Sequence, residues 1–226
     1  MKNHHAENVD KHHLSRGADR IDSSGYRSRM KLGVIAFFCL LSIVGNLATS
    51  FLASALHAPI FLDTIFTVAI TFYAGLVPGL IVAVLHNPIR TFIRYVIYGT
   101  DLFYFGSLYA VCGMLIALST WIFSRNKKDF FFNRTVTMLY LLIIVFVSSF
   151  LSCFSASALD TFIRPLLNDS LRFFPTDIFS IPFQKLKFGM FLSYLLPRIP
   201  ITVLDRLICT FSGFGLYRLV ERRTAC

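Results

Sequence analysis

An all-α membrane protein, a bundle of six transmembrane helices, is the fold the sequence predicts. The expectation rests on the scarcity of charge and on its uneven placement. Of the 226 residues, 55% are hydrophobic and only 15% charged, where soluble domains carry roughly 25% charged residues. Residues 1–31 hold seven Lys/Arg, four Asp/Glu and four His, whereas residues 32–89 hold one acid, Asp63, and no Lys or Arg. Mean hydropathy is +0.65. A bilayer's hydrocarbon is ~30 Å thick and takes ~20 apolar residues per helix, and helices alone satisfy their own backbone there without closing into a barrel.

The elements follow in order. Residues 1–30 form a polar tail, predicted to be disordered and cytoplasmic. It lacks a charged start running straight into a short apolar segment, so no removable signal peptide is expected. His4, His5, His12 and His13 belong to that tail, and no metal site is expected from them. The transmembrane domain covers 31–220, with spans at about 32–55, 60–75, 78–97, 102–124, 136–158 and 200–220. The second span ends in the breakers Gly75, Pro78 and Gly79. In the fourth, Tyr104, Tyr109 and Trp121 sit towards the ends, as interfacial aromatics do. A long extracytoplasmic connection, 159–198, carries Asp160, Pro165, Pro175, Pro182 and Pro197. Cys39, Cys112, Cys153 and Cys209 fall in apolar segments without CxxC spacing, as small core residues do.

Orientation follows from the basic residues. With both termini inside, 14 of the 22 Lys/Arg lie on the cytoplasmic side, in the tail, the 125–134 loop and the C-terminus. That asymmetry predicts N-in and C-in, which an even number of spans satisfies. The net charge of +10 is thus a topology signal, and nucleic acid is not an expected partner, because no basic patch sits on a soluble domain.

Polar residues within spans are costly and therefore informative. Asp63, Thr67 and Thr71 share one helical face of the second span, where Asp63 either caps the helix and sits in headgroups or serves a site. In the third, His86 and Asn87 precede Pro88, whose missing N–H opens a carbonyl and kinks the helix. They either line a polar cavity or bond neighbouring helices. The fifth span carries Ser148, Ser149, Ser152, Ser155 and Ser157 before Asp160. In the sixth, Asp205 and Arg206 are adjacent; about 100° apart on a helix, they are expected to reach different partners. Small residues repeat at Ser42, Gly45, Thr49 and Ala53, at Gly79 and Ala83, and at Gly106, Ala110, Gly113 and Ala117. These stripes either pack helices internally or dock another subunit. No HExxH, GxSxG or Walker motif is present, so neither an enzyme nor a cofactor is expected.

The run 59–88, PIFLDTIFTVAITFYAGLVPGLIVAVLHNP, resembles the second and third helices of the substrate-binding (S) components of energy-coupling factor (ECF) transporters and related membrane sensory modules. A Pro-x-x-Leu-Asp-Thr entry, a short apolar helix, a Gly/Pro turn and a helix ending near Asn carry the likeness. The acid-bearing last helix entered through prolines, PRIPITVLDR, extends it. The resemblance implies a multi-pass protein of a bacterial inner membrane that captures a vitamin-like small solute from outside. Uptake would be energised by a separate transmembrane T component and two cytoplasmic ATPases. It also implies a docking face on the first helix, for which Gly45, Thr49 and Ala53 are the nearest equivalent. A metal substrate is disfavoured, because the chain begins Met-Lys-Asn-His where metal-specific members begin Met-His. The expected substrate pocket lies in the outer half of the bundle, lined by Asp63, Thr67, Asn87, Ser152, Asp160 and Asp205. The alternative is a ligand sensor that signals to a partner output protein.

Overall fold

A computed structural model describes residues 32–56, 60–99, 103–163, 165–167, 182–183, 185 and 189–224. The predicted tail with its histidines, and about half of the 159–198 connection, lie outside them. Two units meet between Phe37 and Phe38; of the first, only the opening turns of a helix are described.

All regular structure among the described residues is helical: α1 (Leu32–Ala55), α2 (Ile65–Ala74), α3 (Leu76–Tyr98), α4 (Phe103–Leu108), α5 (Ala110–Ser124), α6 (Lys127–Phe130), α7 (Arg134–Ala158) and α8 (Met190–Thr224). A π-turn, Leu159–Ile163, extends α7, and a short 3-10 turn, Pro165–Leu167, follows. Among the described residues, five helices are long and apolar enough to cross a membrane: Gly33–Ala55, Leu76–Ile97, Gly106–Ser124, Arg134–Ile163 and Met190–Arg223. Their outward faces are apolar. Phe146, Phe150 and Phe154, successive turns of α7, are 61, 69 and 53% exposed, a stripe that water would not tolerate and lipid accepts. The chain is a multi-pass membrane protein.

Three predicted spans need correction. The second is helical only over ten residues, about 15 Å at 1.5 Å per residue and half of a ~30 Å hydrocarbon layer. The fourth breaks at Tyr109 into α4 and α5. The sixth begins at Met190, ten residues before the predicted start, and carries Pro197 and Pro200 inside it. Prolines persist inside membrane helices when neighbouring groups satisfy the freed carbonyls, so their value as stop signals, sound in water, misplaced this boundary.

The small-residue stripes pack the bundle internally. A Cβ on Gly113 would lie 3.3 Å from the Ala83 Cβ, which joins α5 to α3. One on Gly79 would lie 2.1 Å from the Thr71 hydroxyl, which brings α3 against α2. Gly213, outside the predicted stripes, is tightest against backbone, with its Cβ position 2.7 Å from the Ile65 carbonyl oxygen. At Gly75, φ is 93°; only a residue without a Cβ turns there easily, and α2 reverses into α3.

Candidate functional site

The five residues before α2, 60–64, are not helical. Unwound backbone at membrane depth persists only where protein or a polar cavity satisfies it, and here the side chains of Asp205 and Thr49 bond it while Asn46 bonds the first turn of α2. The Asp205 carboxylate accepts the Phe61 and Leu62 N–H groups, each at 2.9 Å. Thr49 donates to the Leu62 carbonyl at 2.5 Å, pinning a residue with φ of 47°, a left-handed conformation uncommon for a bulky side chain. Asn46, fully buried in α1, accepts the Phe66 N–H at 2.9 Å and donates to the Thr67 hydroxyl at 2.8 Å. It thereby supplies the cap for the open donors of α2. Thr64, the capping residue by position, makes no cap bond because its hydroxyl accepts a hydrogen bond from Arg206.

Charges converge on this segment. Arg206 meets the Asp205 carboxylate at 3.0 Å and approaches Asp63 at 3.8 Å, while Arg90 approaches Asp63 from α3 at 3.5 Å. The expectation that Asp205 and Arg206 would not pair is therefore wrong. The long guanidinium arm folds back across the 100° offset, and each residue still reaches other partners. His86, one turn before Arg90, is 2% exposed and within electrostatic reach of Asp63. Neither of its ring nitrogens finds a hydrogen-bond partner among the described residues.

Eight residues earlier in α8, about 12 Å along the axis, a second cluster forms. Arg198 pairs with Asp160, whose other oxygen accepts the Tyr109 hydroxyl at 2.5 Å. Tyr109 is thus tied to a buried acid, not confined to an interfacial role. The Asp160–Arg198 pair and the Cys153–Thr202 contact set an antiparallel register for α7 and α8. In that register Ser152 lies level with Asp205. The hydroxyls of Ser149, Ser152, Ser157 and Thr210 are buried with no hydrogen-bond partner among the described residues. Cys112 of α5 links the clusters: its thiol meets the Ser152 carbonyl at 3.8 Å and lies within electrostatic reach of Arg198, Arg206 and Asp63.

The buried acids and arginines gather in one half of the interior. Towards the 125–134 loop it is filled by Val68, Phe72, Ile116, Phe130, Leu141, Ile144 and Tyr217. Lys127 closes that end, donating to the Phe72 carbonyl at 3.0 Å and lying 5.1 Å from the Tyr217 ring centroid and 5.7 Å from that of Phe72. Burial of its ammonium under the rings lowers its pKa, with Glu221 pulling the other way. Tyr217 and Arg198 are 19 residues apart on α8, roughly 28 Å, so the two ends of the interior span about one hydrocarbon thickness.

Of the sequence-predicted pocket residues, Asp63, Thr67 and Asp205 gather around the unwound segment, Ser152 lies level with it, and Asp160 belongs to the second cluster. Asn87 is buried, but its carboxamide makes no hydrogen bond among the described residues, and its neighbour His86 is the one within reach of Asp63. The docking stripe is occupied from within: a Cβ on Gly45 would lie 2.6 Å from the Phe66 ring, Thr49 holds Leu62, and Ala53 is 2% exposed. Sequence reasoning missed Asn46, Arg90 and Arg198. Asn46 is the only carboxamide in an otherwise apolar span, and Arg90 stands four residues after His86; both signals were readable. Comparison with known proteins adds no identity, because no family model, curated protein or solved structure matches this chain.

Proposed function

We propose that this protein is the membrane-embedded solute-binding subunit of an ECF-type importer, taking a small vitamin-like solute from outside and relying on a separate T component and two ATPases for energy. One observation carries the reading, the division of the interior into a half that holds the buried acids and arginines and a half packed around an aromatic and aliphatic cluster. Buried ionisable residues in membrane segments face partners or a pathway. Here four buried ones, Asp160, Arg198, Asp205 and Arg206, together with the partly exposed Asp63 and Arg90, line the half that contains the unwound segment. A half-helix whose N-terminus opens on a polar centre is a device transporters use to hold solutes. The basic loop at 125–134 marks the half with the aromatic and aliphatic cluster as cytoplasmic under the positive-inside rule, so the half with the unwound segment faces outward, with both termini inside. Thr67, Asp63, His86, Ser152 and Asp205 are the solute-facing candidates. Asn87 is the weakest of the original set.

The test is affinity purification of the full chain from its native membrane in mild detergent. Peptide mass spectrometry should find a multi-spanning T component and two ATPase subunits at comparable abundance. Recovery of the chain with no ATPase, or with a signalling output protein in its place, refutes the importer.

A further inference from the structure

We infer that the solute held by the half with the unwound segment carries no net charge at neutral pH and is bound by neutral hydrogen-bonding groups, chiefly His86 and the Ser152 hydroxyl. This rests on the solute-binding reading above. The argument is an account of which buried groups are already used. Asp63 stands between Arg90 and Arg206, Asp205 holds Arg206 and two backbone amides, and Asp160 holds Arg198 and Tyr109. Three carboxylates face three guanidiniums, so among the described residues of this half no fixed charge is left over as a counter-ion. A charged solute would enter without a partner or would have to break one of these pairs, and either is strongly unfavourable in a dry interior.

Apart from carboxylate oxygens of these acids, which face guanidiniums as ion pairs, and the Arg206 Nε, the groups left over are neutral. Both nitrogens of His86 and the hydroxyls of Ser149, Ser152, Ser157 and Thr210 are buried and unmet among the described residues. Buried polar atoms are rarely left so, and each calls for a water or a ligand. A neutral imidazole offers one donor and one acceptor, and a hydroxyl offers both, so the complementary solute presents hydroxyl, amide or heterocyclic nitrogen groups of both kinds. Cys112 brings the two sides together, touching Ser152 on α7 while lying within electrostatic reach of Asp63, the acid that His86 also reaches.

An aqueous extract of host cells, split by ion exchange at pH 7 into uncharged, anionic and cationic fractions, supplies the probes. Each fraction is incubated with the purified full-length protein and desalted, and small molecules retained on the protein are measured by mass spectrometry. The uncharged fraction should supply the retained compound. His86→Ala should hold roughly tenfold less, as loss of a buried polar contact implies, and His86→Gln, which keeps a donor and an acceptor, should recover part of it. If His86→Ala does not elute as a single folded species, Ser152→Ala gives the same readout. Retention from the anionic or cationic fraction overturns the inference and leaves the solute-binding reading standing. Wild-type retention in folded His86 and Ser152 variants overturns the assigned groups. Retention from no fraction overturns both, and the unmet atoms then hold water.

Discussion

Replacing Asp205 by Ala removes three contacts at once. The Phe61 and Leu62 N–H groups lose their acceptor at 2.9 Å, and Arg206, 6% exposed at its side chain, loses its 3.0 Å partner. Stranding one member of a buried ion pair costs about 3–5 kcal/mol, and each unmet buried amide adds ~1–3 kcal/mol. The 3.8 Å contact from Arg206 to Asp63 offsets part of the first figure, so ~3 kcal/mol is a floor. At ~2–4 °C per kcal/mol for a chain of this size, Asp205→Ala should unfold at least about 6 °C below wild type. Asp205→Asn, which keeps the one oxygen that accepts both amides but loses the charge facing Arg206, should fall between. Adding Arg206→Gln to Asp205→Asn should cost less than the two single changes together by ~1 kcal/mol or more, since the removed charges are partners. The protein carries its own reporter. Cys39, Cys153 and Cys209 are buried free thiols, so in a Cys226→Ser background a thiol-reactive fluorophore follows unfolding in detergent. If Asp205→Ala melts within 2 °C of wild type, the carboxylate does not hold the unwound segment.

Asn46→Ala leaves the Phe66 amide and the Thr67 hydroxyl without their side-chain partner and should lower stability by ~1–3 kcal/mol, a shift visible in the same thermal assay; no shift would mean another group caps α2. Gly213→Ala drives a methyl to 2.7 Å from the Ile65 carbonyl and 2.9 Å from Val68 and should cost ~1–3 kcal/mol, while Gly215→Ala, with open space around it, should be near neutral. Phe132→Cys, at an 82% exposed position, should resist an impermeant thiol reagent in intact cells and label after permeabilisation; labelling in intact cells would reverse the proposed orientation.

Helix positions were legible because lipid writes them as apolar runs: α1 and α7 begin within two residues of expectation. What escaped has a common cause. Proline and glycine stop helices reliably in water, but within the bundle Pro197 and Pro200 are carried inside α8, so the last boundary was placed ten residues late. Conversely, the 60–75 span reads as one helix, yet it is unwound over 60–64, where Asp205, some 140 residues distant, supplies the acceptor for the Phe61 and Leu62 amides. No local pattern encodes that. The site was half legible for the same reason: acids within spans stood out, but arginines were counted as topology charges, which concealed Arg90 and Arg198. Helical spacing also could not decide between internal and external stripes, and Phe66 against Gly45 decides for the interior.

The clamp on residues 60–64 has a consequence for how the protein is made. Its bonds to Asp205 and Arg206 join residues 142 to 144 positions apart, and ribosomes add ~5–20 residues per second. The second segment is therefore synthesised roughly 7–30 s before the side chains that complete it. Through that interval Asp63 and the bare amides need water, a headgroup region or a chaperone, because hydrocarbon offers them nothing. Insertion of this segment is thus a late event, completed when α8 arrives. A chain truncated before Asp205 should leave the segment open at the membrane surface, exposed to the proteases that clear unfinished membrane proteins.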